Sequence, residues 1–169
     1  MPATRHLDGN GSRVQGAKAP PLPAVHDELV RRDFTAEVPD TLWVGDITEH
    51  PTGEWKLCLC AFKDLWSTRI VGYSINDHMT TNLAVAAIHN AVVLRDTDGT
   101  VRHADGGSQF RCRAFTVTLD ELDLNGSMGH VGAAGDNAVI ESFFSLLQEN
   151  VFNTRRWDIR DQLRTGIVA

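Results

Sequence analysis

The sequence predicts an α/β protein built on a five-stranded mixed sheet flanked by helices. Three observations predict it. Three runs rich in β-formers follow one another across short breaks. A 16-residue segment then repeats its apolar residues at helical spacing. After it, short strand-like runs alternate with helix-like ones.

The first strand is "LWVGDIT" (42–48), after a break at Pro39. "WKLCLCAF" (55–62) alternates its apolar residues, and "TRIVGYSI" (68–75) is a third run. The breaks at "PTGE" and "KDLWS" suit turns, so these three form an antiparallel meander. "TTNLAVAAIHNAVVLR" (80–95) is a helix: Leu83, Ala87 and Ala91 line one stripe, with Ala84, Ile88 and Val92 beside it. Thr80 or Thr81 is placed to cap it. "TVRHA" (100–104) is a fourth strand entering a turn at Gly106-Gly107, "RAFTVTLDELD" (113–123) a second helix, and "LNGSM" (124–128) a fifth strand. "GHVGAAG" (129–135) is a mobile loop, and Asp136 caps the helix that follows. "HDELVRRDF" (26–34) is a short helix or an extended lead-in. Residues 1–25 read as a flexible arm and 26–169 as one folded core.

Composition narrows the function. With 42% apolar residues and no run near the roughly 20 a spanning helix needs, the chain is no membrane protein. The first 25 residues hold no apolar run of the secretory kind, and three cysteines suit a reducing compartment, so a cytoplasmic location is expected. Cys58 and Cys60 share a strand face and read as core cysteines; a zinc site would have to recruit His103 and Cys112. Trp43, Trp55, Trp66 and Trp157 read as packing residues, and Asp64 as closing a meander turn through Ser67. The net charge of −6 argues against strong nucleic-acid binding. The acids concentrate between 41 and 141, 13 Asp and Glu against 7 Lys and Arg. Such a cluster calls for cations, and divalent metals are the natural ones.

Within that region "GDNAVIESFF" (135–144) sets Glu141 in an apolar helix, where an unpaired buried carboxylate is costly. Asn137, Glu141, Ser145 and Gln148 fall on one helix face, so the helix is expected to pack a broad apolar side on the sheet behind a narrow polar stripe. Asp46 stands mid-strand, where carboxylates are depleted, and Asp105 at a strand end, where sites are commonly built. Each has an ordinary alternative: a turn, a cap or a solvated surface.

In combination, "WVGDIT", "HADGGSQF" and "GDNAVIESF", with 35 residues between Asp105 and Glu141, resemble the catalytic core of insertion-sequence transposases of the retroviral-integrase type. Those carry an Asp in W-x-x-D-I-T, an Asp in H-S-D-x-G-x-Q-[FY] and a Glu in D-N-A-x-x-E-S-F. The meander "LCLCAFKDLWSTRIVGYSI" and "SMGHVGAAGDNA" are similar too, and the likeness spans roughly 26–165.

The resemblance implies a ribonuclease H-like fold and a DDE site in which Asp46, Asp105 and Glu141 bind two Mg²⁺ or Mn²⁺ ions. Such a pair, about 3.5–4 Å apart, suits in-line phosphoryl displacement. It implies cleavage of transposon-end DNA, transfer of the freed 3′-OH into target DNA, assembly as a homo-oligomer on DNA, and a separate or fused helix-turn-helix subunit. The location it implies is the bacterial cytoplasm, at the nucleoid. His103 is expected either to orient a water, a carboxylate or a phosphate, or simply to pack. Asn137 contacts DNA or Glu141, or belongs to the helix start. Gln109 touches DNA or makes a turn hydrogen bond.

Departures from the family pattern are Ala104 and Gly106, where many relatives carry Ser and Arg, and Gln148, where many carry Lys. A Gln cannot pair with phosphate by charge. The chain shows no helix-turn-helix segment and stops at "RTGIVA", before the stretch with which relatives continue. The alternatives are therefore a truncated, inactive relic or regulator acting through mixed oligomers, and a nuclease without strand transfer.

Overall fold

The structure is a computed structural model, and it describes residues 34–104, 107–128 and 138–169. Strands β1 (Leu42–Pro51), β2 (Lys56–Asp64) and β3 (Ile70–Asn76) form the antiparallel meander. Helix α1 (Thr81–Val92) leads to β4 (Val101–Ala104). Helices α2 (Ser108–Arg111) and α3 (Arg113–Glu121) lead to β5 (Asn125–Met128). Helix α4 (Ala138–Asn150), a 3-10 turn at Phe152–Thr154 and α5 (Arg160–Val168) complete the described elements. The sheet order is β3-β2-β1-β4-β5, with β4 parallel to both β1 and β5.

All five expected strands form, and the meander is antiparallel as its short turns require. Asp64 closes the β2–β3 turn: it is buried and accepts the Ser67 and Asp40 N–H groups at 2.8 and 3.1 Å. Five residues of the α1 stripe (Leu83, Ala84, Ala87, Ile88 and Ala91) are buried. Thr80 holds the N-cap position, yet its side chain makes no capping hydrogen bond; its carbonyl accepts the Leu83 N–H instead. The short α2 and the terminal α5 were not expected from the sequence. Residues 1–33, 105–106 and 129–137 lie outside the described residues. With them go the expected arm, most of the 26–34 lead-in, the Gly106 turn, the 129–135 loop and the Asp136 cap.

One face of the sheet carries the main core. Trp43, Cys58, Cys60 and Phe62 point from it into Leu83, Ala87 and Ile88 of α1 and Phe115 and Leu119 of α3. Burying a large apolar side chain stabilises by about 1.5–3 kcal/mol, so this layer dominates stability. Two glycines set its spacing. A Cβ on Gly72 would meet the Ala91 N at 2.5 Å and the Ala87 O at 2.6 Å, so α1 rests directly on the β3 backbone. A Cβ on Gly45 would collide with the Phe62 ring, which fills the space that residue leaves.

The opposite face is covered by α4 and α5. Ile140 of α4 packs on Val44 and Ala61, with Phe34 and Phe143 beside it. Toward the far end, Phe152, Trp157 and Leu163 close over Leu57. The expected broad apolar burial of α4 is not observed. Ile140 is its buried residue, Phe143 and Phe144 are half-buried, and Leu146 is 57% exposed. Val44 and Ala61 seat Ile140, whereas Leu146 stands on the side of the helix turned to solvent. The tryptophans divide as well: Trp43 and Trp157 are buried, whereas Trp55 and Trp66 are 59% and 53% exposed, against the expectation that all four pack. No described helix is long and apolar enough to cross a membrane.

Candidate active site

Asp46 sits in the middle of β1 opposite Ala61 of β2. Directly paired residues share a face, and Ala61 packs with Val44 and Ile140. Asp46 therefore lies on the face that α4 covers. It is half-buried, and its Oδ1 accepts the Ile47 N–H at 2.7 Å. β1 pairs with β4 only from Leu42 to Gly45. Among the described residues the parallel pairing is thus followed to the position before Asp46. The end of a parallel strand is where α/β sheets commonly expose functional groups.

Asp105 lies outside the described residues. It follows Ala104 in the chain, and Ala104 is the register partner of Gly45. Glu141 stands in the first turn of α4 and is exposed. A carboxylate in a first turn is stabilised by the helix dipole. Its neighbour Ile140 is buried against Val44 and Ala61, so the turn carrying Glu141 is anchored over the β1–β2 pair that bears Asp46. Asp46 and Glu141, 95 positions apart in sequence, are thus brought to one side of the sheet.

His103 pairs with Val44 in register and is fully buried. Its Nδ1 and the Ser127 Oγ of β5 form a 3.0 Å hydrogen bond, and its ring meets Phe34 edge-on at 5.2 Å. The packed alternative describes it. Gln109 is half-buried and donates from Nε2 to the Met79 carbonyl at 3.4 Å, so the local hydrogen bond describes it too. Gln148 donates to Asn153 Oδ1 at 2.7 Å, toward the turn that follows α4. Asn137 lies outside the described residues. Among those described, no group of three or more His, Cys, Asp or Glu is gathered as a metal cluster. The carboxylates of Asp46 and Glu141 are hard oxygen donors of the kind Mg²⁺ prefers. Cys58 and Cys60 are buried in the main core, and burial raises both thiol pKa values above their ordinary value.

Sequence reasoning missed three features here. Phe34 and Ser127 hold His103, and only the β4–β5 register brings Ser127 to it. Arg102 is fully buried in the opposite layer, its guanidinium 5.3 Å from the Phe110 ring and 4.6 Å from the Phe115 ring. Arg102 alternates with His103 along β4, and that alternation was the available signal that it faces the other layer.

A five-stranded mixed sheet with three antiparallel strands first, helices on both faces and an acid at the centre of β1 defines a ribonuclease H-like fold. The chain belongs to the integrase core domain family, whose model matches residues 36–134. It is 35% identical over 142 residues to the transposase for insertion sequence element IS629 of Shigella sonnei, covering 84% of this chain and 48% of that one. It is 34% identical over 144 residues to transposase InsF for insertion sequence IS3A of Escherichia coli K12, covering 85% and 50%. The chain therefore spans about half the length of these curated relatives. Among solved structures it resembles the simian T-cell lymphotropic virus intasome in complex with PP2A regulatory subunit B56 gamma. There the TM-score is 0.65 at 14% identity, over 87% of this chain and 51% of that one. It also resembles the HTLV-2 integrase catalytic core domain in complex with magnesium, with a TM-score of 0.58 at 16% identity over 78% and 86%. At such identities these likenesses speak for the fold, while the match to the integrase core domain model carries the family.

Proposed function

We propose that this chain is the catalytic core of an insertion-sequence transposase, cutting transposon-end DNA and joining the freed 3′-OH to target DNA. The observation that supports the reading is that Asp46 lies on the sheet face covered by α4, where Ile140 anchors the turn that bears Glu141, while Asp105 follows β4 in the chain. Asp46, Asp105 and Glu141 would hold two Mg²⁺ or Mn²⁺ ions, which supply Lewis-acid activation of the attacking and leaving oxygens when bound. Asp46 is oriented by its own strand, through the Ile47 N–H. Glu141 is set by the Ile140 anchor and, being exposed, remains reachable by a DNA strand. His103 acts from beneath, filling the sheet face through Ser127 and Phe34. Assembly as an oligomer on DNA, pairing with a helix-turn-helix module and work at the bacterial nucleoid belong to the same proposal.

The test is incubation of a labelled transposon-end duplex with Mg²⁺ or Mn²⁺. Nicking and joining are expected in the wild type, with a loss of at least about 100-fold in Asp46→Asn and Asp105→Asn. Cleavage that persists undiminished in both variants would remove the assignment.

A further inference from the structure

We propose that Arg155, held on a rigid aromatic platform at the far end of β1, forms a second contact for the phosphodiester backbone of DNA; the inference rests on the reading that this core acts on DNA. The starting point is the alternation of β1. Asp46, Thr48 and His50 project from one face, because their antiparallel partners Ala61, Leu59 and Leu57 all belong to the side covered by α4 and α5. At His50 that row runs into a cleft of ≈ 250 Å³, bordered by Thr52 and Gly53 of the β1–β2 hairpin and by Arg155, Arg156 and Trp157. Four steps along the extended strand, about 13 Å, separate Asp46 from His50, roughly four nucleotide steps of duplex rise.

The cleft is built rather than incidental. Trp157 is buried, and its Nε1–H donates to the Phe152 carbonyl at 3.0 Å. The hairpin is fastened to the same loop: the Gly53 N–H donates to the Trp157 carbonyl at 2.9 Å, and a Cβ on Gly53 would meet the Asp158 O at 2.7 Å. Phe152 in turn stacks on His50 at 4.7 Å. On this frame the Arg155 guanidinium lies 4.2 Å from the Trp157 ring centre. Stacking restrains the side chain while leaving its donors available for a planar or tetrahedral anion.

Charge singles out Arg155 among its neighbours. Lys56 pairs with Glu49 at 2.7 Å, Arg156 with Asp158 at 3.6 Å, and Arg160 with both Glu54 and Asp77 at 3.4 and 2.8 Å. Arg155 is exposed, and its contact is a ring rather than a carboxylate. His50 adds little charge, since burial lowers its pKa below the ordinary 6.5. In a chain of net charge −6, a preorganised unneutralised guanidinium is the group a polyanion would meet most favourably.

The experiment measures fluorescence anisotropy of a labelled transposon-end duplex with the full chain in EDTA, across a salt series. Arg155→Met keeps the stem over Trp157 and removes the charge. It is expected to weaken binding about 3- to 10-fold at low salt and to lower the slope of log K against log salt by about 1, while Arg155→Lys retains most of the slope. Wild-type affinity and slope in Arg155→Met, or wild-type binding that shows no salt dependence, would overturn the contact. Because no metal is present, binding that depends on Arg155 without any cleavage in Mg²⁺ would count against the catalytic reading alone.

Discussion

The two faces of the sheet are built for different ends. Toward α1 and α3 the layer is closed: Trp43, Phe62, Leu83, Ile88, Phe115 and Leu119 are fully buried, and Gly72 lets α1 lie on the strand backbone. Toward α4 and α5 the cover is thinner. Ile140 and Leu163 are the fully buried anchors there, Phe143 and Phe144 are half-buried, and an apolar hollow of ≈ 250 Å³ opens between Tyr73, Phe143 and Val168. The acids Asp46 and Glu141 belong to this second face. A carboxylate that must meet a hydrated cation and a phosphate cannot be sealed in a dry core without a desolvation cost that exceeds its benefit. The closed face therefore carries most of the stability, and the more open face is the one that bears the candidate acids.

The largest expected effect tests that division through stability. Phe62→Ala should destabilise by about 3–5 kcal/mol, because the cavity lies between two packed layers. Phe144→Ala, on the half-covered face, should cost less than half as much. Urea unfolding of both variants measures the difference, and equal losses would break the contrast.

A metal-dependent effect comes next. Saturating Mn²⁺ should raise the melting temperature of the wild type, by about 2.7 kcal/mol of stabilisation at a hundredfold excess over the dissociation constant. EDTA should reverse it, and Glu141→Gln should diminish it with little change in metal-free stability, since that side chain is exposed. An undiminished rise in the variant would remove Glu141 from the ligand set.

The smallest effect belongs to the closed face. Burial raises the Cys58 and Cys60 pKa values above the ordinary 9.0, so the folded chain keeps these thiol protons to higher pH than the unfolded chain does. Stability from this source is complete below about pH 9 and is lost as pH rises beyond it. At pH 8, iodoacetamide followed by mass spectrometry should label the half-buried Cys112 well before either core thiol.

Much of this was legible in the chain because it is local. The period-3.6 stripe of α1 and the alternation of β2 report which side faces inward, whatever they pack against. The acids were legible through residue chemistry: Asp46 violates the preferences of a strand interior. What escaped depended on partners distant in sequence. Helix α4 looks apolar on most of its surface, yet how much of it is covered depends on where α5 lands. Trp55 and Trp66 look like core residues by type, and hairpin geometry leaves them outside. His103 was balanced between chemistry and packing until β5 brought Ser127 beside it.

By itself the sequence determined the strands, the α1 stripe and the identity of the candidate acids. These follow from side-chain periodicity and from the cost of misplacing a charge, both of which act within a few residues. The tertiary structure alone settled that β4 lies parallel beside β1, that Ile140 packs on Val44 and Ala61 next to the strand position of Asp46, and that Arg155 rests on Trp157 beyond the end of that strand. Those relations join residues tens of positions apart, and burial and strand register select them jointly rather than any local preference.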